Sequence, residues 1–413
     1  MNTTAQSPSV SVSSTFAAFR HRNYRLWFIG QLTSLVGTWM QSTAQGYLVY
    51  TLTGSAAYLG YVGFASGLPS WLFMLYGGLV ADLVPRRTML VITQTVQMLL
   101  AFILAGLVFA NVVQPWHILV LSFLLGTANA FDTPARQSLV IELVDREDMT
   151  NAIAFNATMF NGGMIVGPAI GALVYALTGP AWCFTINGLS FIAVIIALLM
   201  MRIKPMPAPL RYTSALSAIG EAFHYVRGER LVLTLTLSVF VINIVGFGPI
   251  NLLPAWAVSI LHGDVTTNGL LLSARGVGAV LGGLAIAVLA ARKLRGRMWT
   301  LGSFTIPLLM VAFAMTRWLP LSLLLLGLAG LALVTVMNNS NAMVQARVPD
   351  ELRGRVMGLY SLMFMGGGPL GALLVGLAAD RTGEPITFYV CAGGTLLYAL
   401  LVWLTRPEVR AME

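Results

Sequence analysis

Gln31, Ser34, Thr38, Gln41 and Gln45 recur at spacings of three, four, three and four in a run that is otherwise mostly apolar. In a helix this spacing puts all five on one face, over about 21 Å at 1.5 Å per residue. The chemistry on offer is uncharged hydrogen bonding, either to a polar solute or to another helix. Against lipid the amides would stay unsatisfied, so the face lines a cavity or is sealed by a neighbouring helix. Three glutamines exceed what sealing needs, which favours the cavity. Similar clusters follow at Asn129, Asp132, Thr133 and Arg136, and at Asn338, Asn339, Ser340, Asn341 and Gln345. Asn243 and Asn251 flank Pro249, a residue type that kinks helices.

Two charged features stand out among these runs. Asp132 and Arg136 lie four apart with the acid first, the favourable order for a helical pair. Asp132 is the only carboxylate placed inside the bundle, either a proton carrier or half of a structural ion pair near the inner mouth. Arg275 sits in an apolar run with no acid nearby. It snorkels outwards, binds an anionic substrate group, or pairs with Asp132 in one conformation. A charge at membrane depth costs roughly 2.5–3.5 kcal/mol on insertion scales and usually marks function.

Other chemistries are excluded by what the residues lack. His21, His117, His224 and His262 show no metal-ligand spacing. Cys183 and Cys391 fall in separate apolar runs and read as buried free thiols. Gly276-Val277-Gly278 has no strand before it, so it is no dinucleotide fingerprint, and no phosphate-cradling loop ends in Lys-Ser/Thr. No metal and no cofactor are expected, and ATP is not the energy source. A membrane-embedded enzyme would need His or carboxylates clustered at one membrane face, and none cluster.

The elements that position these residues follow from composition. Apolar residues make up 57% of the 413, charged residues only 9%, and the net charge is +9. Disordered, fibrous and nucleic-acid-binding chains are more polar than this. A bilayer core takes about 20 apolar residues per helix. Runs of that length lie near 25–50, 57–81, 88–110, 116–136, 151–177, 182–201, 231–256, 268–291, 298–316, 319–345, 355–379 and 386–405. The fold class is an all-α polytopic membrane protein with 12 transmembrane helices. A barrel would instead show short alternating segments.

Of the 24 Lys and Arg residues, 21 fall on one face of that topology, Arg317 and Arg381 on the other, and Arg275 within a span. The positive-inside rule then puts both termini in the cytoplasm. The excess positive charge reports topology and anionic headgroups, not a nucleic-acid partner. Residues 1–19 read as a short disordered cytosolic tail without the apolar core of a signal peptide, and 406–413 as a second tail.

The longest loop, 202–230, separates bundles over 20–201 and 231–405. It opens with Pro205, Pro207 and Pro209. Leu216, Ile219, Phe223 and Val226 then form the apolar face of an amphipathic helix, expected to lie on the inner membrane surface. The two bundles repeat each other. Thr178-Gly179 and Phe184 return as Thr382-Gly383 and Phe388, and Gly167-Pro168 as Gly368-Pro369. Two pseudo-symmetric six-helix bundles, with the polar runs on corresponding helices, put a site at their interface.

Several segments resemble known signatures. Gly78 to Arg87, with Asp82, Arg86 and Arg87, resembles the loop 2–3 motif of the major facilitator superfamily. Gly163, Gly167, Pro168 and Gly171 look like its helix-5 antiporter motif. Arg20-His21-Arg22-Asn23-Tyr24-Arg25-Leu26, Gly37-Thr38-Trp39-Met40-Gln41, Pro134-Ala135-Arg136-Gln137 and Leu352-Arg353-Gly354-Arg355 are similar to one exporter branch. That branch includes the enterobactin exporter and macrolide efflux pumps. The resemblance covers roughly 16–405.

It implies a rocker-switch, alternating-access exporter driven by the proton gradient. It implies too that the acid matching Asp82 holds the second span against the start of the eleventh in the outward-open state. A carboxylate beside a helix N-terminus is favoured by the dipole. Leu83 stands where the family carries Arg, Pro85 where it carries Gly, and Ser122 where many relatives have a proton-linked Arg. The eighth span ends without the family's acid. These departures bear on proton coupling, not on the fold.

The expected protein is a monomeric inner-membrane exporter of an amphipathic small molecule, a drug or a siderophore, with protons and the lipid bilayer as its other partners. Lysophospholipid or lipid flipping is the alternative within transport. The expected cavity residues are Gln31, Thr38, Gln41, Gln45, Asn129, Asn243, Arg275, Asn338 and Asn341, with Asp132 and Arg136 as the proton-coupling candidates.

Overall fold

The computed structural model describes residues 16–202, 215–289 and 294–412, and these are helical with no strand among them. The long helices are α1 Arg22–Thr53, α2 Ala56–Leu83, α3 Arg86–Phe109, α4 Pro115–Glu142, α5 Met149–Thr178 and α6 Pro180–Met200, followed by α7 Arg230–Ile260, α8 Val265–Leu289, α9 Arg295–Met315, α10 Leu319–Arg347, α11 Asp350–Thr382 and α12 Glu384–Thr405. Ten helices, α3 to α12, are long and apolar enough to cross a membrane. Several run past the apolar stretches that announce them. The run near 355–379 lies inside the 33 residues of α11, because a helix continues through its polar ends as long as backbone bonds are made.

Proline and glycine set the boundaries. Gly54 closes α1 at φ 62°, and Gly179 and Gly383 follow α5 and α11 at φ 90° and 84°, a region where a Cβ is strained. Pro180 and Pro385 lie in the first turns of the next helices, where a missing N–H costs nothing. Phe184 and Phe388 are both buried behind these turns. The sequence repeat is thus the same corner built twice.

α7 is interrupted, as the prolines suggest. It passes from α-helix to a π turn at Asn243–Phe247, a 3-10 turn at Gly248–Leu252 and a second π turn at Trp256–Ile260.

Two packing groups result. Before Arg202, α1 packs on α5 and α6, and α4 on α2 and α3; after it, α10 packs on α8 and α9, and α11 lies along α7. The halves meet chiefly where α2 lies along α11 and α5 along α8. The shorter helix Ala215–Gly228 packs on α11. Its Ala222 and Val226 join the core of the second half, Phe223 is exposed, and Glu221 pairs with Arg355. Part of the face expected to meet the membrane surface therefore meets protein. Leu216 and Ile219 lie outside the described side chains.

Candidate substrate pathway

A cavity of about 380 Å³ opens between the halves, within the range of small-molecule sites. Thr38, Gln41 and Gln45 of α1, Asn129 of α4 and Arg275 of α8 line it. Its amides are held in place. Asn187 Nδ2 donates to Gln41 Oε1 at 2.7 Å, and Gln45 Nε2 donates to Ser122 Oγ at 2.8 Å. These bonds tie α1 to α6 and α4 and leave an uncharged polar wall.

Four expected lining residues sit elsewhere. Gln31 is 2% exposed and is not part of the cavity wall. It belongs to the part of α1 whose neighbours Tyr24 and Trp27 pack in the N-terminal core, so the stripe outruns the cavity. Asn243 is buried within the second half, where its Nδ2 donates to Val239 O at 2.8 Å inside the turn that breaks α7. Asn338 is exposed, and Asn341 accepts from Gln345 at 2.5 Å on its own helix. Both lie toward the end of α10, away from the cavity wall.

Trp39, Gln97 and Asn187, which the sequence does not single out for the cavity, also line it, as does Asn251. Asn251 flanks Pro249, and Gln97 shares a turn with Thr93 and Gln94. Asn187 is a single amide in a strongly apolar run and gives little periodic signal.

Asp132 is 1% exposed and lies outside the cavity wall. Its Oδ1 accepts from Thr93 Oγ1 at 2.8 Å and Gln94 Nε2 at 2.9 Å, and its Oδ2 lies 3.6 Å from Arg136 Nε. The carboxylate joins α4 to α3 and keeps Arg136 on α4. Arg275 is different. Ten residues, about 15 Å, separate it from the start of α8. It lines the central cavity, and no acid pairs with it among the described residues. Its Nε is buried without a partner.

The motif residues fall within single halves. Arg86 pairs with Glu142 of α4, and Arg87 donates to Leu199 O at 2.7 Å in the last turn of α6. Gly78 faces open space, and the side chain of Asp82 lies outside the described ones. Gly163, Gly167 and Gly171 bring α5 against Leu35 to Met40 of α1, and Pro168 is buried among them. Gly367 and Gly371 bring α11 against α7 in the same manner.

Contacts between the halves run from one end to about mid-helix, where Trp71 of α2 lies against Gly366 of α11. Ser55 Oγ donates to Asp380 Oδ1 at 2.6 Å, and the Ala57 N–H to the same oxygen at 3.4 Å. Gly60 faces Gly376, Gly67 faces Pro369, and Ala172 and Pro168 face Gly269. Ser273 Oγ donates to Ile165 O at 2.8 Å. All of these lie in helix segments remote from the arginine-rich loops. On the arginine-rich side, Arg86–Glu142 and His21–Asp148 stay within one half, and Arg347–Glu229 and Arg355–Glu221 within the other.

Comparison with known proteins agrees with this architecture. The family model described as transmembrane secretion effector matches residues 13–413. The multidrug efflux pump Tap of Mycolicibacterium fortuitum is 28% identical over 395 residues, covering 92% of this chain and 95% of Tap. The staphyloferrin A transporter of Staphylococcus aureus is 25% identical, covering 94% and 97%. The enterobactin exporter EntS of Shigella flexneri is 26% identical, covering 94% and 93%. Among solved structures, the nucleoside transporter NupG superposes with a TM-score of 0.71 at 15% identity over 93% of this chain and 98% of its own. An inward-facing bacterial homologue of the human lysosomal transporter Spinster gives 0.70 at 14% identity, covering 97% and 96%. Relatives and fold neighbours alike are transporters, not enzymes.

Proposed function

The chain belongs to the transmembrane secretion effector family of major facilitator transporters, and on that premise we propose that it is a secondary active exporter of an amphipathic drug or siderophore, working by alternating access and proton antiport. The observation that carries this is a polar cavity at the junction of two halves that are hydrogen-bonded to each other toward one end, while the ion pairs at the arginine-rich end stay within each half. A substrate bound there is shielded on the contact side and reachable from the other.

In this reading α1 and α2 cross the bilayer with the other ten helices, giving six spans per half. α1 has 32 residues, about 48 Å of helix, which exceeds a ~30 Å hydrocarbon core. The basic loops lie in the cytoplasm by the positive-inside rule, with both termini there, in a bacterial inner membrane. The open end then faces inward, and the Arg86 and Arg87 contacts within one half belong to that state. Asp82 is assigned the role of holding α2 against α11 when the inner side closes.

Asp380 is the outer counterpart, a carboxylate of one half at the N-terminus of a helix in the other, where the dipole favours it. Asp380→Ala is expected to raise outward accessibility of a cysteine placed at Ser42, read as at least twofold faster modification by an impermeant thiol reagent. An unchanged rate would remove Asp380 from the outer closure.

Proton coupling is assigned to Asp132 with Arg136. Protonating this carboxylate would loosen its hold on Thr93, Gln94 and Arg136 together and so couple a proton to the α3–α4 contact. The test is substrate uptake into everted vesicles, where export runs inward. Export that collapses when a protonophore is added supports antiport, whereas export indifferent to it removes the proton from the scheme.

A further inference from the structure

We propose that the substrate is an organic anion, held through its negative group by Arg275, and that cationic amphipaths are poor substrates. This rests on the exporter reading above and names the substrate class of that site. Among the described residues Arg275 is the one charged side chain lining the central cavity, whose other polar wall includes the neutral amides and hydroxyls of Gln41, Gln45, Gln97, Ser122 and Asn251. No carboxylate among the described residues lines the cavity, so none of them compensates the guanidinium or attracts a cation there.

The surroundings of Arg275 fix the direction in which its charge acts. Behind it lies a second, apolar pocket within the second half, lined by Ile306, Met310, Phe313, Leu333 and Phe388, with about 20 Å³ of open space. That volume is close to the minimum for one water molecule, and its walls offer little to bond one. The helices around Arg275 pack closely on its backbone. Gly330 of α10 packs on its backbone carbonyl, and Ser273 of α8 is bonded to Ile165 O at 2.8 Å. The guanidinium therefore has the central cavity as its outlet, with donors in a planar fork that suits carboxylate, catecholate, sulfonate or phosphate oxygens. Around it the neutral amides bond either donors or acceptors and select little by charge. Leu59, Val62, Leu125 and Leu272 supply apolar wall for the remainder of an amphipath.

The test uses three probes with one dansyl-alkyl body, ending in a carboxylate, the primary carboxamide or a trimethylammonium group. Each is measured for binding to the purified protein by fluorescence and for movement in proteoliposomes. The carboxylate is expected to bind at least tenfold more tightly than the other two. Arg275→Gln should bring it down to the level of the carboxamide, Arg275→Lys should retain part of the preference, and Arg275→Glu should reverse it toward the cation. Size-exclusion profiles and thermal unfolding identify any variant that fails to fold, and the lysine variant keeps the test decisive in that case. Equal binding and movement of all three, or a preference that survives Arg275→Gln, overturns the inference and leaves the exporter standing. Movement of none overturns both.

Discussion

Gly60→Leu is expected to reduce export at least tenfold while the protein still inserts and purifies. A Cβ at this position would lie 2.7 Å from Ala372 O, 3.1 Å from Gly376 Cα and 3.3 Å from Leu373 O. All three neighbours are backbone atoms, so no side chain can turn aside to make room. A leucine can be accommodated only if α2 and α11 separate, and this contact closes one end of the cavity. Gly60 packs on the other half, and the core clusters are largely separate, with Ala56 joining that of the second half and Ala255 one of the first. The loss should thus be one of state and not of folding. Transport assays together with thiol labelling at a cysteine placed at Ser42, from both sides of the membrane, separate the two. Gly106→Leu on α3, where a Cβ meets nothing within 4 Å, is the control for the added bulk. Full export by Gly60→Leu would show that the closure does not depend on this approach.

The second large effect is expected at Asp132. Asp132→Ala removes the acceptor of Thr93 and Gln94 and the counter-charge of Arg136 in one step. Breaking a buried pair from one side costs about 3–5 kcal/mol, a large part of the stability of any domain. The alanine variant should therefore purify in low yield with early thermal unfolding. Asp132→Asn keeps an acceptor oxygen and the volume, and it should fold. Substrate-driven proton movement in that variant is expected to fall to background. If it stays at the wild-type level, the carboxylate holds α3 to α4 and carries no proton.

These two sites differ in how far sequence alone reveals them. Asp132 and Arg136 announce themselves by charge and spacing, and the structure places them as neighbours. What spacing cannot show is the partner across the gap, so Thr93 and Gln94 stayed invisible. The α1 stripe makes the same point. Periodicity identifies one face of the helix from Gln31 to Gln45, but it does not say where along its length the facing helices part. Thr38, Gln41 and Gln45 meet the cavity, and Gln31 meets core. Asn243 is absorbed by the irregular backbone of α7, which the prolines foretold without saying which side chain would bond within it. The repeated Thr–Gly corners at 178–179 and 382–383 were plainly legible, because a positive φ leaves few choices of residue.

The seam between the halves is built from glycines, alanines and prolines set backbone against backbone. Its directional bonds, those to Asp380 and to Ile165, are few. Parting such a surface gives up dispersion contacts and exposes apolar area that lipid chains can wet, with little charge to resolvate. The exchange between states should then answer to the mechanical condition of the bilayer. Acyl-chain length and lateral pressure would shift turnover strongly, and ionic strength, which screens charge across water, would shift it little.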